Sequence, residues 1–178
     1  HLDSFDLARD GERRRFIDQL APLANAAYKA IADGEEMSVV YRPDVKEDVP
    51  LIESFTAARK SDIRQRLTTR GPHRDDLEIV VDDKAARQFA SQGQQKTAGL
   101  AIKLAELDRM HERTGEYPIL LLDDVFAELD ASRSREVLST IPAAVQCLVT
   151  TTEFALSGEL ASRAPTLFAV QKGLLRVV

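Results

Sequence analysis

Disulfide chemistry and tryptophan are missing from this chain: it has one cysteine, no tryptophan, and aromatics at only 6% of its 178 residues. A lone Cys147, set in the apolar run from Ala143 to Val149, forms no internal disulfide and reads as a small core residue. No apolar run approaches the roughly 20 residues that span a bilayer. Residues 1–10 lack the basic-then-apolar layout of a signal peptide. Together these absences give the expectation of a cytoplasmic protein with no membrane association. Positive charge is also short: the net charge is −5, with 12 basic against 13 acidic residues up to position 70 and 12 against 16 beyond it. Any nucleic-acid contact therefore needs a local patch. No internal repeat or low-complexity segment is visible. No Gly-x-x-x-x-Gly-Lys-Ser/Thr occurs, and no other glycine-rich loop could wrap the β- and γ-phosphates of a nucleotide.

What is present, 178 residues, suffices for one domain, or one domain with an appended subdomain, and with 44% hydrophobic residues it can bury a proper core. Ala8 to Ala32 has helical periodicity, with Phe16, Leu20, Leu23, Ala27 and Ile31 as its apolar stripe and a kink or break expected at Pro22. The consecutive Arg13, Arg14 and Arg15 fan around that helix, which leaves a solvated face or a phosphate contact as readings. Asp33-Gly34 is a stop signal, and Met37 to Arg42 a short strand closed by Pro43. A second helix is expected from Val49 to Thr69, with Leu51, Ile52, Phe55, Ala58, Ile63 and Leu67 inward. Its Arg59, Lys60, Arg64 and Arg66, with Arg70, form the strongest local positive charge. They suit either a DNA-backbone contact or a solvated face paired to Glu53 and Asp62. Gly71-Pro72 marks the expected boundary between a helical arm, 1–70, and a lobe, 71–178. His73 has no second His or Cys at metal-ligand spacing and reads as a structural loop histidine. Leu77 to Val81 and Ala85 to Phe89 are expected to form a hairpin.

The most informative stretch is Tyr117 to Asp130. Ile119-Leu120-Leu121-Leu122 is aliphatic without alternation, which predicts a strand buried on both faces of a parallel sheet. It stops on Asp123 and Asp124. Ligands of open parallel sheets bind beyond the carboxyl ends of the strands, so an acidic pair there could hold a metal and a water. An extended chain would point the two acids to opposite sides. A plain polar turn is the alternative.

Upstream, Ser91-Gln92-Gly93-Gln94-Gln95 opens a helix expected over Gln94 to Arg113, ended by Gly115. Its buried face would be Ala98, Ala101, Ile102, Leu104 and Ala105. Ser91 and Gln94 have capping-box spacing. Gly93 admits a bulky anion, and a helix N-terminus favours phosphate. Capping alone also explains the pattern. Downstream come a helix over Ser132 to Ser139, a strand over Ala144 to Thr150, a helix over Phe154 to Arg163, and a hairpin of Leu167–Val170 with Leu174–Val178.

A serine-glycine helix start, one helix before an aliphatic strand ending in two acids and then Glu128-Leu129-Asp130, resembles the heads of ABC-type ATPases. Within them the wording is most similar to the RecF family, which is related to SMC proteins. The residues that carry this are Gly71-Pro72-His73-Arg74-Asp75-Asp76-Leu77, Phe89 to Gln95, Ile119 to Asp130, and Val149-Thr150-Thr151-Thr152, so the likeness covers the whole chain as a C-terminal half. It implies an α/β head with a helical arm, ATP and Mg²⁺ as cofactors, and an ATP-dependent homodimer. By position, Asp123 would be the Walker B acid toward Mg²⁺ and Asp124 would orient or deprotonate the attacking water. An Asp in place of the usual Glu suits a slow, switch-like hydrolysis. Ser91, Gln92, Gly93 and Gln94 would be the signature contacts to ATP held by a second subunit, Asp130 the D-loop acid, and Thr151 the position of the switch histidine that this chain lacks. The family's partners are DNA, RecO and RecR, in recombinational repair of gapped DNA and the loading of RecA. Without a Walker A loop, this piece alone is expected to bind ATP weakly and not to hydrolyse it. Two other readings are a non-enzymatic protein- or DNA-docking module and the head of another SMC-like ATPase, for which the long coiled coil is missing.

Overall fold

The computed structural model describes residues 2–46, 48–152 and 164–178. The helix expected over Phe154 to Arg163 lies outside the described residues. The chain divides into two compact units, His1–Arg109 and Met110–Val178. The sequence boundary at 70/71 falls inside the first unit, because strands from either side of it pair.

In the first unit, helix α1 (Leu2–Ile31) runs on through Pro22 as one helix, without the expected break. Proline removes one backbone donor. Residues on both sides of it, Ile17, Leu20, Ala24, Ala27, Tyr28 and Ile31, are buried. That stripe is rotated from the expected one: Phe16 is exposed, and Ile17, Ala24 and Tyr28 fill the core instead. Asp33 and Gly34 end the helix with φ of 52° and 88°, and the Gly34 amide donates to the Lys29 carbonyl.

α1 packs on strand β1 (Met37–Arg42). β1 pairs antiparallel with β2 (Asp76–Val81), register Met37 to Val81 and Arg42 to Asp76. Alternate residues Met37, Val39 and Tyr41 are buried, as period-two geometry requires of a sheet with one covered face. The third strand, β3 (Lys84–Ala85), is only two residues long. The hairpin's expected second arm instead becomes helix α3 (Ala86–Phe89). The turn between β2 and β3 places both Asp82 and Asp83 at positive φ, the two-residue geometry that matches strand twist.

Helix α2 (Leu51–Gln65) is shorter than expected and ends on Arg66 in the left-handed region. None of its residues is buried, so the expected apolar face is not a core face; Ile52 and Ile63 are exposed. Phe55 explains how it is still held: a Cβ on Gly71, at φ +122°, would lie 3.0 Å from the Phe55 ring. The residue-71 position is thus closed to side chains by both backbone and space.

Helix α4 (Gln92–Thr114) starts two residues before the expected point and buries Thr97, Ala98, Leu100, Ala101, Leu104, Ala105 and Leu107, while Ile102 is only half-buried. Gly115, at φ 77°, closes it.

In the second unit, β4 (Leu120–Asp123) and β5 (Cys147–Thr150) form a parallel pair, with Leu120 beside Cys147 and Asp123 beside Thr150. Residues 144–146 belong to the preceding turn rather than to the strand. β4 is not buried on both faces: Leu120 and Leu122 are, while Ile119 and Leu121 are exposed, as is Leu148. One face has its layer and the other has none among the described residues. Helix α5 (Ala131–Thr140) adds Val137 and Leu138 to the core beside Phe126, Ile141 and Val145. A hairpin of β6 (Phe168–Gln171) and β7 (Leu174–Val177) turns at Lys172-Gly173. Its apolar residues Phe168, Val170, Leu174, Leu175 and Val177 are all exposed.

Candidate functional site

β4 and β5 run side by side and stop together, so their carboxyl ends gather polar side chains. Asp123 is the last residue of β4. Asp124 does not continue the strand: it turns into the left-handed region at φ 51°, ψ 24° and starts a 3₁₀ turn over Val125–Glu128. Asp124 is thus not part of an extended chain, the condition on which opposite-side placement rests. Aspartate tolerates this conformation better than most residues. Both acids are exposed.

Asp123 accepts one hydrogen bond, from the Thr150 hydroxyl to its Oδ1 at 2.5 Å. Its Oδ2 and both carboxylate oxygens of Asp124 have no partner among the described residues. The Asp124 N–H is shared between the Thr150 hydroxyl, at 3.0 Å, and the Thr150 carbonyl, at 3.2 Å. Thr150 is a site residue to which sequence reasoning gave no role. The signal was available in the register: in a parallel pair the last residue of one strand lies beside the last of the other.

Among the described residues no three or more His, Cys, Asp or Glu side chains gather as a metal cage. Two hard carboxylates exposed at one strand end do fit Mg²⁺, which is commonly held through one or two carboxylates plus substrate phosphates and water.

Asp130 caps α5: its Oδ1 accepts the Arg133 amide at 2.9 Å, and Arg133 Nε stands 3.7 Å from Oδ2. That amide foremost, then the guanidinium charge, holds its carboxyl below the usual aspartate range. Thr151 follows β5 directly and is exposed.

Ser91 to Gln94 belong to the first unit. There the capping box forms in full, with the Gln94 amide on Ser91 Oγ at 3.2 Å and the Ser91 amide on Gln94 Oε1 at 2.9 Å. The Gln94 side chain is held further by Glu35, whose Oε2 accepts from Gln94 Nε2 at 3.1 Å and from the Tyr28 hydroxyl at 2.9 Å. Gln95 anchors the incoming chain through the carbonyls of Ala86 and Ala90. Ser91 and Gln92 stay exposed. The amides of Gln92 and Gly93 find no acceptor among the described residues. Capping thus satisfies part of the helix start and leaves two donors at its positive end.

On α2, Arg59, Lys60, Arg64 and Arg66 are exposed and make no ion pair among the described residues. The expected pairing to Asp62 does not form: Asp62 Oδ1 accepts from Thr69, at 3.1 Å from its amide and 2.6 Å from its hydroxyl. Arg70 does pair, with Asp44 at 3.1 Å.

The turn 71–76 is a structural network. Asp75 Oδ2 accepts from Arg13 and from the Tyr41 hydroxyl, each at 2.5 Å, and its Oδ1 takes the Asp44 amide at 3.1 Å. Tyr41 foremost, with Asp75, raises the Arg13 pKa above its ordinary value. Arg14 lies over the Tyr41 ring at 5.7 Å and Arg15 pairs with Glu12, so the arginine triplet serves the protein itself. Phe16 and Leu77 line an open pocket of about 410 Å³ above this network. His73 Nε2 lies 3.0 Å from the Thr68 carbonyl, consistent with a loop role.

No protein-family model matches the chain. Among curated proteins it is similar to the DNA replication and repair protein RecF of Lactobacillus gasseri, 41% identical over 175 residues that cover 92% of this chain and 46% of that protein. The RecF of Gloeobacter violaceus is 39% identical over 170 residues, covering 90% and 45%. A solved structure of the recombination mediator protein RecF-ATPrS in the RecFOR pathway superposes with a TM-score of 0.75 at 26% identity, over 99% of this chain and 48% of that one. An SmcHead bound to the C-winged helix domain of ScpA superposes with a TM-score of 0.57 at 16% identity, over 92% and 43%, a likeness of fold alone. The chain spans about half the length of the curated relatives it matches.

Proposed function

Because over nine-tenths of its length the chain matches part of RecF, an α/β ATPase-head fragment, we propose that it supplies one lobe of an ATP-dependent DNA-binding protein of recombinational repair. The observation that carries this reading is the exposed Asp123–Asp124 pair at the carboxyl end of a parallel strand pair, with three of its four carboxylate oxygens unpaired among the described residues. Asp123 would hold Mg²⁺, whose bound charge neutralises phosphate. Asp124, bent away from the strand, would orient the attacking water or take its proton. Ser91, Gln92, Gly93 and Gln94 would face ATP bound by a second subunit, through the Ser91 hydroxyl and the Gln92 and Gly93 amides, which have no acceptor among the described residues. Asp130 would be the D-loop acid and Thr151 the switch position. The polypeptide that carries the Walker A loop would lie on the exposed Ile119, Leu121 and Leu148 face of β4 and β5.

For DNA, Arg59, Lys60 and Arg64 of α2 with Arg66 at its C-cap, which make no ion pair among the described residues, are the contact this reading uses. RecO and RecR are the partners and RecA loading the outcome that the RecF likeness suggests, in the cytoplasm. No described helix is long and apolar enough to cross a membrane.

The test is to combine this chain with a Walker A-bearing partner half and follow ATP hydrolysis. Activity that appears with the wild type and vanishes with Asp124→Asn supports the reading. Hydrolysis unchanged by Asp124→Asn overturns it and favours a docking module.

A further inference from the structure

The Asp123 carboxylate and the Asp124 backbone N–H, at the end of β4, meet on one side chain. Thr150 sits beside Asp123 in the parallel register. Its hydroxyl has one proton and can accept as well. The Asp124 N–H can only donate, so at 3.0 Å it takes a lone pair of Oγ1. The hydroxyl proton is thereby left for Asp123 Oδ1, at 2.5 Å. The direction of both bonds follows from this chemistry, and so does the rotamer of the threonine.

We propose that Thr150 is a positioning residue: it ties up Oδ1 of Asp123, so that only Oδ2 is presented to a divalent cation, and it fixes the bend that carries Asp124. The proposal rests on the reading of Asp123 as the metal carboxylate. A carboxylate with one oxygen tied down is a one-point ligand. That suits Mg²⁺, which demands octahedral geometry, and disfavours the two-point grip common for Ca²⁺. Outer hydrogen bonds of this kind orient the ligands they touch and tune affinity. Thr150 is exposed, so its side chain is not a core element whose loss must unfold the protein. A valine would fill the same space without donating or accepting.

The experiment uses the full-length protein with saturating ATP and reads Mn²⁺ binding by electron paramagnetic resonance, with no dependence on turnover. Thr150→Val should weaken Mn²⁺ binding about 10-fold and narrow the preference for Mg²⁺ over Ca²⁺, while Thr150→Ser stays within about twofold of the wild type. Asp123→Asn is the reference. If Asp123→Asn weakens binding and Thr150→Val does not, the positioning role is overturned and the carboxylate reading stands. A Thr150→Ser variant as weak as Thr150→Val overturns it too, because the hydroxyl would then not be the cause. If Asp123→Asn leaves Mn²⁺ binding intact, the parent reading falls, and this one with it. Thr150→Ala replaces Thr150→Val should the latter unfold.

Discussion

Three Asp-Asp pairs occur in this chain, at 75–76, 82–83 and 123–124, and the same two letters do three kinds of work. Asp75, with a side chain only 8% exposed, is surrounded by donors: Arg13, the Tyr41 hydroxyl and the Asp44 amide. It pins the 71–76 turn to α1 and β1. Asp82 and Asp83 supply the positive φ of a tight turn, and Asp82 also accepts the Glu36 amide at 3.1 Å. Asp123 and Asp124 are exposed, with one donor between their four oxygens among the described residues. A carboxylate already satisfied by its own protein has nothing left for a ligand, whereas one held at a single oxygen is oriented and still available.

The contrast can be broken by substitution. On the proposed function, once this chain is joined to a Walker A-bearing half, Asp124→Asn is expected to cut ATP hydrolysis about 100-fold, near the lower range for loss of a general base, with little change in the urea midpoint. Asp75→Ala should do the reverse. It leaves a half-exposed arginine, a tyrosine hydroxyl and an amide without their acceptor, and costs about 2 kcal/mol in urea unfolding. Nucleotide turnover per folded molecule should hold. If Asp75→Ala abolishes turnover in folded protein, the division of labour among the pairs is wrong.

Smaller effects sharpen the picture. Ser91→Ala removes one capping acceptor and should lower stability by about 1 kcal/mol, read by thermal unfolding. Ser91→Arg should block ATP-dependent dimerisation in sedimentation while sparing the fold. Replacing Arg59, Lys60, Arg64 and Arg66 with Gln should make the salt dependence of DNA binding shallower, by about 0.9 in log–log slope for each phosphate that α2 no longer neutralises. The smallest effect concerns Asp130. Its folded pKa is depressed, so its contribution to stability is present above the unfolded value of about 3.9 and is lost as pH falls through the folded one. Asp130→Asn should flatten the acid limb of a stability-against-pH curve.

Much of this is legible in the residues. Met37–Arg42 can be read to the residue from alternation, and the Ser91–Gln94 box from spacing, because both depend on local geometry. The parallel pairing of the strand that ends on Asp123 follows from its unbroken aliphatic run. Its one-sided burial does not, since that depends on which layers are present around it. Ala85–Phe89 reads as a hairpin arm because it follows the Asp82-Asp83-Lys84 turn, yet the pairing with β2 ends after Ala85 and a helical turn takes over. The α1 stripe shifts by a fraction of a turn because Phe16 scores as core by type, whereas tertiary packing on β1 selects Ile17 and Tyr28. No local pattern points to Thr150: its bonds to Asp123 and to the Asp124 amide cross 27 and 26 positions of chain, so only the parallel register reveals it.

The two-stranded β4–β5 ribbon has an unpaired edge on each side among the described residues, and Ile119, Leu121 and Leu148 exposed to water. Such a ribbon is a template for any extended chain that meets it. Kept by itself at high concentration, this polypeptide would be drawn toward its own copies. Production together with whatever shields that ribbon would therefore give a better-behaved sample than purification of the chain by itself.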